Sequence, residues 1–354
     1  MSRSMNALYR NSAFLCAAAL ILAACAENPT TPTSRTVTAG ASSPNQYPEF
    51  NGPSADAHIM HTRQWFAQNP SNDAPGGSHG KPGGGGTNNG ISYHGGPVLQ
   101  AATNVAAVYW AASTIYSGGP APGATGSGSG DGSLVGYFMS NLSGSSYFNI
   151  NTTYTDGSGA PIKNVVNYTQ FWANNSYNVP SNGQSVSDSQ MLSMLQYAFN
   201  NGKLTYDPHT LYIIYTAGTV NLGGGFGTQY CAYHTHGSVT VNGGSQVVLY
   251  SAMPYTYAYP SACTNGTASP NGDPAADAEV NVVAHETEET TTDEMANAWY
   301  DTRGYENADK CAWNFGTTQT TSTGGVWNIQ VGTKYFLVQQ NWINANGGGC
   351  RQGW

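Results

Sequence analysis

Charge is scarce in this sequence, and basic charge is the scarcest. Only 8% of the 354 residues are charged, with 11 Lys+Arg against 19 Asp+Glu and a formal net charge of -8. Proteins that hold nucleic acid need clustered lysine and arginine to neutralise phosphates, so we expect no nucleic-acid partner. The abundance of glycine (Gly 44) and tyrosine (Tyr 23) is instead typical of an exported protein rich in strands and loops.

A long apolar run is also lacking at the N-terminus. The run from Ala13 to Leu22 follows Arg3 and Arg10 and is too short for an ordinary membrane span. It leads into Leu22-Ala23-Ala24-Cys25, which resembles a bacterial lipobox. We therefore predict a lipoprotein-type signal peptide over residues 1–25, with lipidation of Cys25.

Two outcomes of export stay open. With the lipid, the protein would be a cell-envelope lipoprotein, in the outer membrane if the host is Gram-negative, since Ala26 rather than aspartate follows the cysteine. Without it, cleavage at the small-x-small sequence Ala24-Cys25-Ala26 would give a secreted protein. Either way, we expect membrane contact only through an N-terminal lipid anchor.

Cysteine is also sparse. Setting aside Cys16 and Cys25, four cysteines remain: Cys231, Cys263, Cys311 and Cys350. An even number in an exported chain predicts two disulfides, for which three connectivities exist. We favour pairing between sequence neighbours, Cys231 with Cys263 and Cys311 with Cys350. Their spacing does not fit a zinc ribbon.

Composition divides the chain. Residues 26–90 are rich in Pro, Thr, Ser, Asn and Gly, which predicts a disordered tether because such a segment buries too little apolar surface. The short island from His58 to Phe66 is assigned to this tether, with His58 and His61 solvated. Residues 91–354 are predicted to form the globular domain.

Hydrophobic periodicity within that domain alternates between strand and helix patterns. Strands are predicted over Val105–Trp110, Val165–Trp172 and Leu211–Thr216, hairpins over Val239–Ala252 and Val326–Trp342, and helices over Leu134–Leu142, from Ser187 to Phe199, and from Ala275 to about Asp293. The pattern predicts an α/β or α+β fold, in which a twisted mixed sheet carries packed helices in a zincin-like layout with two disulfides.

Candidate catalytic and metal-binding side chains are most concentrated in the sequence Ala284-His285-Glu286-Thr287-Glu288-Glu289. On a helix, His285 and Glu289 are one turn apart on the same face. That spacing is the one at which H-E-x-x-H zinc proteases present two ligands, with the intervening glutamate as general base. We predict that His285 and Glu289 bind a metal and that Glu286 is the catalytic base.

A catalytic zinc site needs a third protein ligand. Glu306 and Asp309 are the candidates, because Gly304 permits a turn and a disulfide at Cys311 would hold the loop near the helix. His234 and His236 are a further source. Zinc is the expected metal, and calcium or manganese competes because hard cations prefer carboxylate oxygens.

Several segments are similar to the phosphate-induced protein 1 (EXORDIUM-like) family. They are Tyr93-His94-Gly95-Gly96-Pro97-Val98-Leu99, Cys231-Ala232-Tyr233-His234 and the stretch from Tyr335 to Cys350. The H-E-x-x-E sequence and the following Trp299-to-Cys311 segment resemble the bacterial type of this family. The resemblance implies a secreted or wall-associated protein, and it implies that His94 and His234 are structural hydrogen-bonding residues.

Two functions follow from these patterns. The first is an exported, surface-tethered, metal-dependent hydrolase, peptidase-like, acting on a peptide or cell-wall polymer. The alternative is a non-enzymatic cell-envelope binding protein with a structural cation site. A third interpretation assigns no chemistry to the motif, with Glu286, Glu288 and Glu294 forming a solvated acidic face.

Overall fold

The computed structural model describes residues 57–69 and 90–354, all of which fall within one compact unit. The helices are α1 (Arg63–Gln68), α2 (Leu134–Asn141), α3 (Asp188–Asn200), α4 (Pro260–Cys263) and α5 (Pro274–Thr292). The strands are β1 (His58–His61), β2 (Ser92–Tyr93), β3 (Thr103–Trp110), β4 (Thr125–Ser127), β5 (Val166–Asn174), β6 (Thr210–Thr216), β7 (Tyr230–Val241), β8 (Gly244–Met253), β9 (Trp299–Tyr300), β10 (Gln319–Thr320), β11 (Val326–Trp327), β12 (Ile329–Val331), β13 (Lys334–Phe336), β14 (Asn341–Trp342) and β15 (Cys350–Arg351).

Seven of these strands form one mixed sheet in the order β1-β7-β8-β6-β3-β5-β4. Its centre is parallel, because β8, β6, β3 and β5 run in the same direction. Both edges are antiparallel, with β4 against β5 on one side and the strands β1, β7 and β8 on the other. The uncharged, β-branched and aromatic β6 is buried along its whole length, as a central parallel strand must be.

Helices cover both faces of the sheet. Alternate strand residues pack on one face against α2 and α5, and the residues between them pack on the other face against α3. In β3, for example, Val105 and Ala107 belong to the first layer, whereas Ala106 and Val108 belong to the second. The predicted fold, a mixed sheet with packed helices, is therefore confirmed.

Most predicted elements occur close to their expected positions. The hairpin around Asn242-Gly243 is present between β7 and β8, and both residues have positive φ (53° and 79°), as a tight two-residue turn requires. The helix predicted from Ser187 begins there, with Gln190 Oε1 accepting from Ser187 N at 2.9 Å.

The predicted C-terminal hairpin was wrong at its ends. It is confined to β12 and β13, which turn at Gly332-Thr333. Val326 instead pairs with Thr320 in the β10-β11 ribbon, and Trp342 pairs with Cys350 in the β14-β15 ribbon. Short ribbons tied by a disulfide replace one longer hairpin.

A larger correction concerns the N-terminal segment. The prediction of a solvated tether was wrong for residues 57–69, because β1 is an edge strand of the main sheet and all four of its residues are buried. Thr62 Oγ1 donates to Thr228 O at 3.0 Å and Gln64 Nε2 to Ser261 O at 2.8 Å, which anchors α1. The predicted signal peptide, Cys25 and tether residues 26–56 and 70–89 lie outside the described residues.

Helix α5 is almost completely buried, from Ala276 to Thr292. Asp273 caps its start by accepting from Ala276 N at 3.1 Å, and Pro274 occupies the first turn. The β-branched run at its end is tolerated because the hydroxyls of Thr290 and Thr291 donate to backbone carbonyls one turn earlier, each at 2.7 Å. Tertiary packing, rather than intrinsic propensity, holds this helix.

Both disulfides pair sequence neighbours, as predicted: Cys231 with Cys263 and Cys311 with Cys350. The first ties β7 to α4, and the second ties the loop after β9 to β15. Within residues 57–69 and 90–354, no helix has the length and apolar character that crossing a membrane requires.

A buried carboxyl on α5 generates a pH prediction. Burial raises the pKa of Glu279 to about 7, against hydrogen bonds from Thr256 that lower it. Between pH 5 and pH 8 the folded protein therefore holds this proton more tightly than the unfolded chain, and Glu279 lowers the free energy of unfolding as pH rises. Glu279→Gln removes that contribution. In urea unfolding, the free energy of unfolding of the variant, taken relative to that of the wild type, should therefore rise by up to about 3 kcal/mol between pH 5 and pH 8. If the free energies of unfolding of the two proteins changed in parallel with pH, the raised pKa of Glu279 would be contradicted.

Candidate metal centre

Helix α5 places the predicted ligands where the sequence motif requires them. His285 Nε2 lies 3.1 Å from Glu289 Oε1, one turn further along the helix. Asp309 Oδ1 lies 3.6 Å from the same ring nitrogen. The ligand atoms of His285, Glu289 and Asp309 all lie within 4.8 Å of one another, so the three form one candidate cation-binding group.

The loop after α5 brings Glu306 and Asp309 back to the helix. Asp293 ends the helix and accepts hydrogen bonds from Asn297 N at 2.6 Å and Ala298 N at 2.7 Å, which turns the chain. At the far end of the loop, Asp309 N donates to Glu289 Oε1 at 2.9 Å. Gly304 has a φ of 82°, which only glycine adopts readily.

Two histidines from the sheet complete the cluster. His58 of β1 and His234 of β7 are directly paired across the strands, so both side chains lie on the same face of the sheet, with ring centroids 5.4 Å apart. His58 Nδ1 lies 2.6 Å from Glu306 Oε2. His234 Nδ1 lies 3.0 Å from Glu286 Oε2 and 3.7 Å from Glu289 Oε2.

We define the His/carboxylate cluster as these seven residues: His58, His234, His285, Glu286, Glu289, Glu306 and Asp309. None of them is more than 2% exposed. Burial raises the pKa of Glu286, Glu306 and Asp309 well above the usual range, and the neighbouring Glu289 carboxylate adds to the effect in each case. Ionised carboxylates at these positions therefore need a compensating positive charge.

The histidines respond to the same burial in different ways. Desolvation and, after it, the adjacent His58 lower the pKa of His234 to about 3. For His285 desolvation also lowers the pKa, but Glu289 and Asp309 outweigh it and the net direction is upwards. Burial raises the pKa of Glu289, yet His285 and His234 outweigh it and the net direction is downwards. His285 and Glu289 thus behave as a pair, whereas His234 stays neutral.

Several buried polar atoms of the cluster have no hydrogen-bond donor or acceptor among the described residues. They are His234 Nε2, Glu286 Oε1 and Glu289 Oε2. Buried polar groups are normally satisfied, and imidazole nitrogens and carboxylate oxygens are the donors that zinc, manganese and calcium accept. The convergence of such atoms fits a divalent cation.

The predicted site residues are therefore brought together. Glu286, His285, Glu289, Glu306 and Asp309 all lie in the cluster, with Glu306 beside the sheet histidines and Asp309 beside His285. The interpretation of Glu286, Glu288 and Glu294 as a solvated acidic face was wrong, because Glu286 and Glu288 are 0% exposed and Glu294 is only 8% exposed. Glu288 accepts a hydrogen bond from the side-chain amide of Asn151 at 2.6 Å.

The histidines named in the sequence analysis differ in their surroundings. His94 is exposed, stacks on Tyr300 and lies within 3.2 Å of the Ser92 hydroxyl and the Tyr300 carbonyl, which fits a structural role. His234, expected as a structural hydrogen-bonding residue or as a further ligand, lies 3.0 Å from Glu286 and belongs to two of the candidate cation groups. His236 lies two residues further along the same strand and belongs to none of the candidate cation groups found among the described residues.

Sequence reasoning missed His58 and Gln339. His58 was missed because a four-residue strand surrounded by Pro, Ser and Gly resembles a tether; its register opposite His234 exists only in the folded sheet. Gln339 gave no local signal at all. Its side-chain amide nitrogen lies 2.9 Å from His285 Nδ1 and 2.9 Å from the Ala308 carbonyl oxygen, linking helix and loop.

The fold and the cluster together define a three-layer α/β domain with a buried centre of histidines and carboxylates. The chain belongs to the phosphate-induced protein 1 family, because the model of that family's conserved region matches residues 133–341, more than half of its length. The matched residues include α5 and its acidic loop, whereas β1 lies outside them. The resemblance inferred from the sequence is thus confirmed. No curated protein and no solved structure matches the chain.

The link through Gln339 can be tested. Gln339→Leu removes the donor to Ala308 O and the contact with His285 Nδ1 and leaves both acceptors buried, so we expect the free energy of unfolding to fall by about 1–3 kcal/mol in denaturant titrations. The exposed Gln330, changed to leucine, is the matched control and should stay within about 0.5 kcal/mol of the wild type. Equal losses in both variants would contradict a role for Gln339 at the centre.

Proposed function

We propose that this protein is an exported, surface-tethered, metal-dependent hydrolase that uses its H-E-x-x-E helix on a peptide or cell-wall polymer. The observation that carries the proposal is the convergence of His285, Glu289 and Asp309 on one buried point, with Glu286 one residue from His285 in the same cluster. A divalent cation bound by these side chains would lower the pKa of a water molecule there. Zinc is the first choice, and the two carboxylates leave manganese and calcium as competitors.

The role proposed for Glu286 is that of general base. Its Oε2 faces His234 Nδ1 at 3.0 Å, while Oε1 has no hydrogen-bond partner among the residues that the structure describes. Oε1 is therefore the atom that would accept a proton. His234, kept neutral by burial, would hold the carboxyl group in position.

Access to this centre requires movement. Every residue of the cluster is buried, so a polymer substrate reaches it only if a covering element opens. Strand β1 is the cover, since it is four residues long and has a neighbour on one side only. Displacing it would remove His58 and expose Glu306.

The same burial favours a second function. Structural zinc sites are closed by protein ligands, whereas catalytic sites keep one position open. A non-enzymatic envelope protein whose cation holds α5, the acidic loop and the sheet edge together would need no access. This alternative predicts a melting temperature that falls on chelation and no turnover of any peptide or glycan.

Glu286→Gln separates the two functions. The variant should retain its cation by elemental analysis and lose hydrolysis of a peptide panel by about 100-fold or more, because proton transfer by a positioned base contributes at least that much. Glu288→Gln is the matched control, being a buried glutamate on the same helix that contacts Asn151 instead. Unchanged turnover in Glu286→Gln would remove the catalytic claim, and a wild type that binds the cation without turnover would favour the structural alternative.

Export is supported by the N-terminal leader and by two disulfides in a chain with four cysteines after the leader. If Cys25 is lipidated, cells fed an alkyne-tagged fatty acid should label the wild-type chain and keep it with the membranes. Cys25→Ser should lose the label and Cys16→Ser should keep it. An unlabelled wild-type protein in the medium would support plain secretion.

A further inference from the structure

The cluster contains two sets of three ligands that share no residue. The first set is His285, Glu289 and Asp309, and the second is His58, His234 and Glu306. In each set the ligand atoms lie within 4.8 Å of one another. The second set combines two imidazoles with one carboxylate, the composition that zinc adopts in several hydrolases.

Glu289 lies between the two sets. Its Oε1 lies 3.1 Å from His285 Nε2 in the first set, and its Oε2 lies 3.7 Å from Nδ1 of His234, whose other ring nitrogen, Nε2, faces Glu306 in the second set. In two-metal centres the cations lie about 3.5–4 Å apart, and a carboxylate between them offsets charge on both. Glu289 Oε2 has no hydrogen-bond partner among the described residues.

The second set also has a buried nitrogen without a hydrogen-bond partner among the described residues, His234 Nε2, which lies 3.6 Å from Glu306 Oε2. His58 Nδ1 lies 2.6 Å from the same carboxylate oxygen, so two imidazoles converge on one carboxylate. His58, His234 and Glu306 are at most 2% exposed. Two imidazoles and a carboxylate that converge in a buried place form a donor set for a divalent cation.

Charge balance also favours two cations over one. The four carboxylates of the cluster, Glu286, Glu289, Glu306 and Asp309, carry four negative charges when ionised. One divalent cation neutralises half of that charge, whereas two neutralise all of it. The nearby Lys310 contributes its charge elsewhere, since its ammonium lies 3.3 Å from Asp301 and over the Trp342 ring.

We propose that the centre holds two divalent cations, the second of them bound by His58, His234 and Glu306, with Glu289 between the two sets. The proposal rests on the proposed function for the first cation and adds a second position to it. Because His58 is delivered by β1, the second cation ties the N-terminal segment to the domain. Loss of this cation would release the cover over the first.

The full chain, freed of metal by a chelator and then reconstituted with Zn²⁺, tests the proposal by elemental analysis after gel filtration. We expect about two zinc ions per chain in the wild type and about one in His58→Ala. His209→Ala, which removes an exposed histidine outside the cluster, should retain two. One zinc in the wild type, unchanged in His58→Ala, would overturn the second site and leave the first intact; a wild type that retains none of Zn²⁺, Mn²⁺ and Ca²⁺ after loading with each would overturn the proposed function itself.

A second measurement needs no variant, in case His58→Ala does not fold. Electron paramagnetic resonance of the wild type saturated with Mn²⁺ should show a spin-coupled pair, because two ions held in one cluster interact magnetically. An isolated six-line spectrum at saturation would overturn the pair while leaving a single bound cation.

Discussion

Four carboxyl groups packed together without contact with water set the constraint on which the rest of this structure depends. Ionised groups in such a place repel one another and lose their hydration, so the cluster persists only with protons or cations among its oxygens. The surrounding elements enclose the cluster: the sheet edge covers one side, the disulfide-tied loop covers another, and the buried α5 covers a third. Removing any one of these elements would let water reach the acids and relax the repulsion.

In the proposed function the same enclosure would link binding to access. Side chains held by a buried helix and by the main sheet are already ordered, which would favour cation binding because little ordering remains to be done. The enclosure would also exclude a substrate unless an element moves. Among the described elements, strand β1 is suited to this movement because it lies at the edge of the sheet, is short, and presents His58 to Glu306. Cation binding and opening of the centre would therefore be opposed through His58.

Local patterns account for much of what the sequence predicted correctly. The central strands were identifiable because β-branched and aromatic runs have few alternatives to burial, and the β7-β8 hairpin because Asn242-Gly243 suits one turn type. The i,i+4 relation of His285 and Glu289 follows from helix geometry alone, so it could be predicted before any contact was known. The ends of the C-terminal hairpin could not, since short ribbons depend on partners as distant as Thr320 and Cys350.

The sequence by itself determined the helix that carries His285, Glu286 and Glu289, because their spacing defines one face of a helix. It favoured the pairing of neighbouring cysteines and the return of the acidic loop to the helix, and the tertiary structure decided both. Only the tertiary structure decided that His58 and His234 face the same carboxylates. Their relation arises from strand register across 176 residues of sequence, and register is set by how the whole sheet buries its faces. Burial of the cluster was decided in the same way, since no local pattern reveals that an acidic helix will be covered on every side.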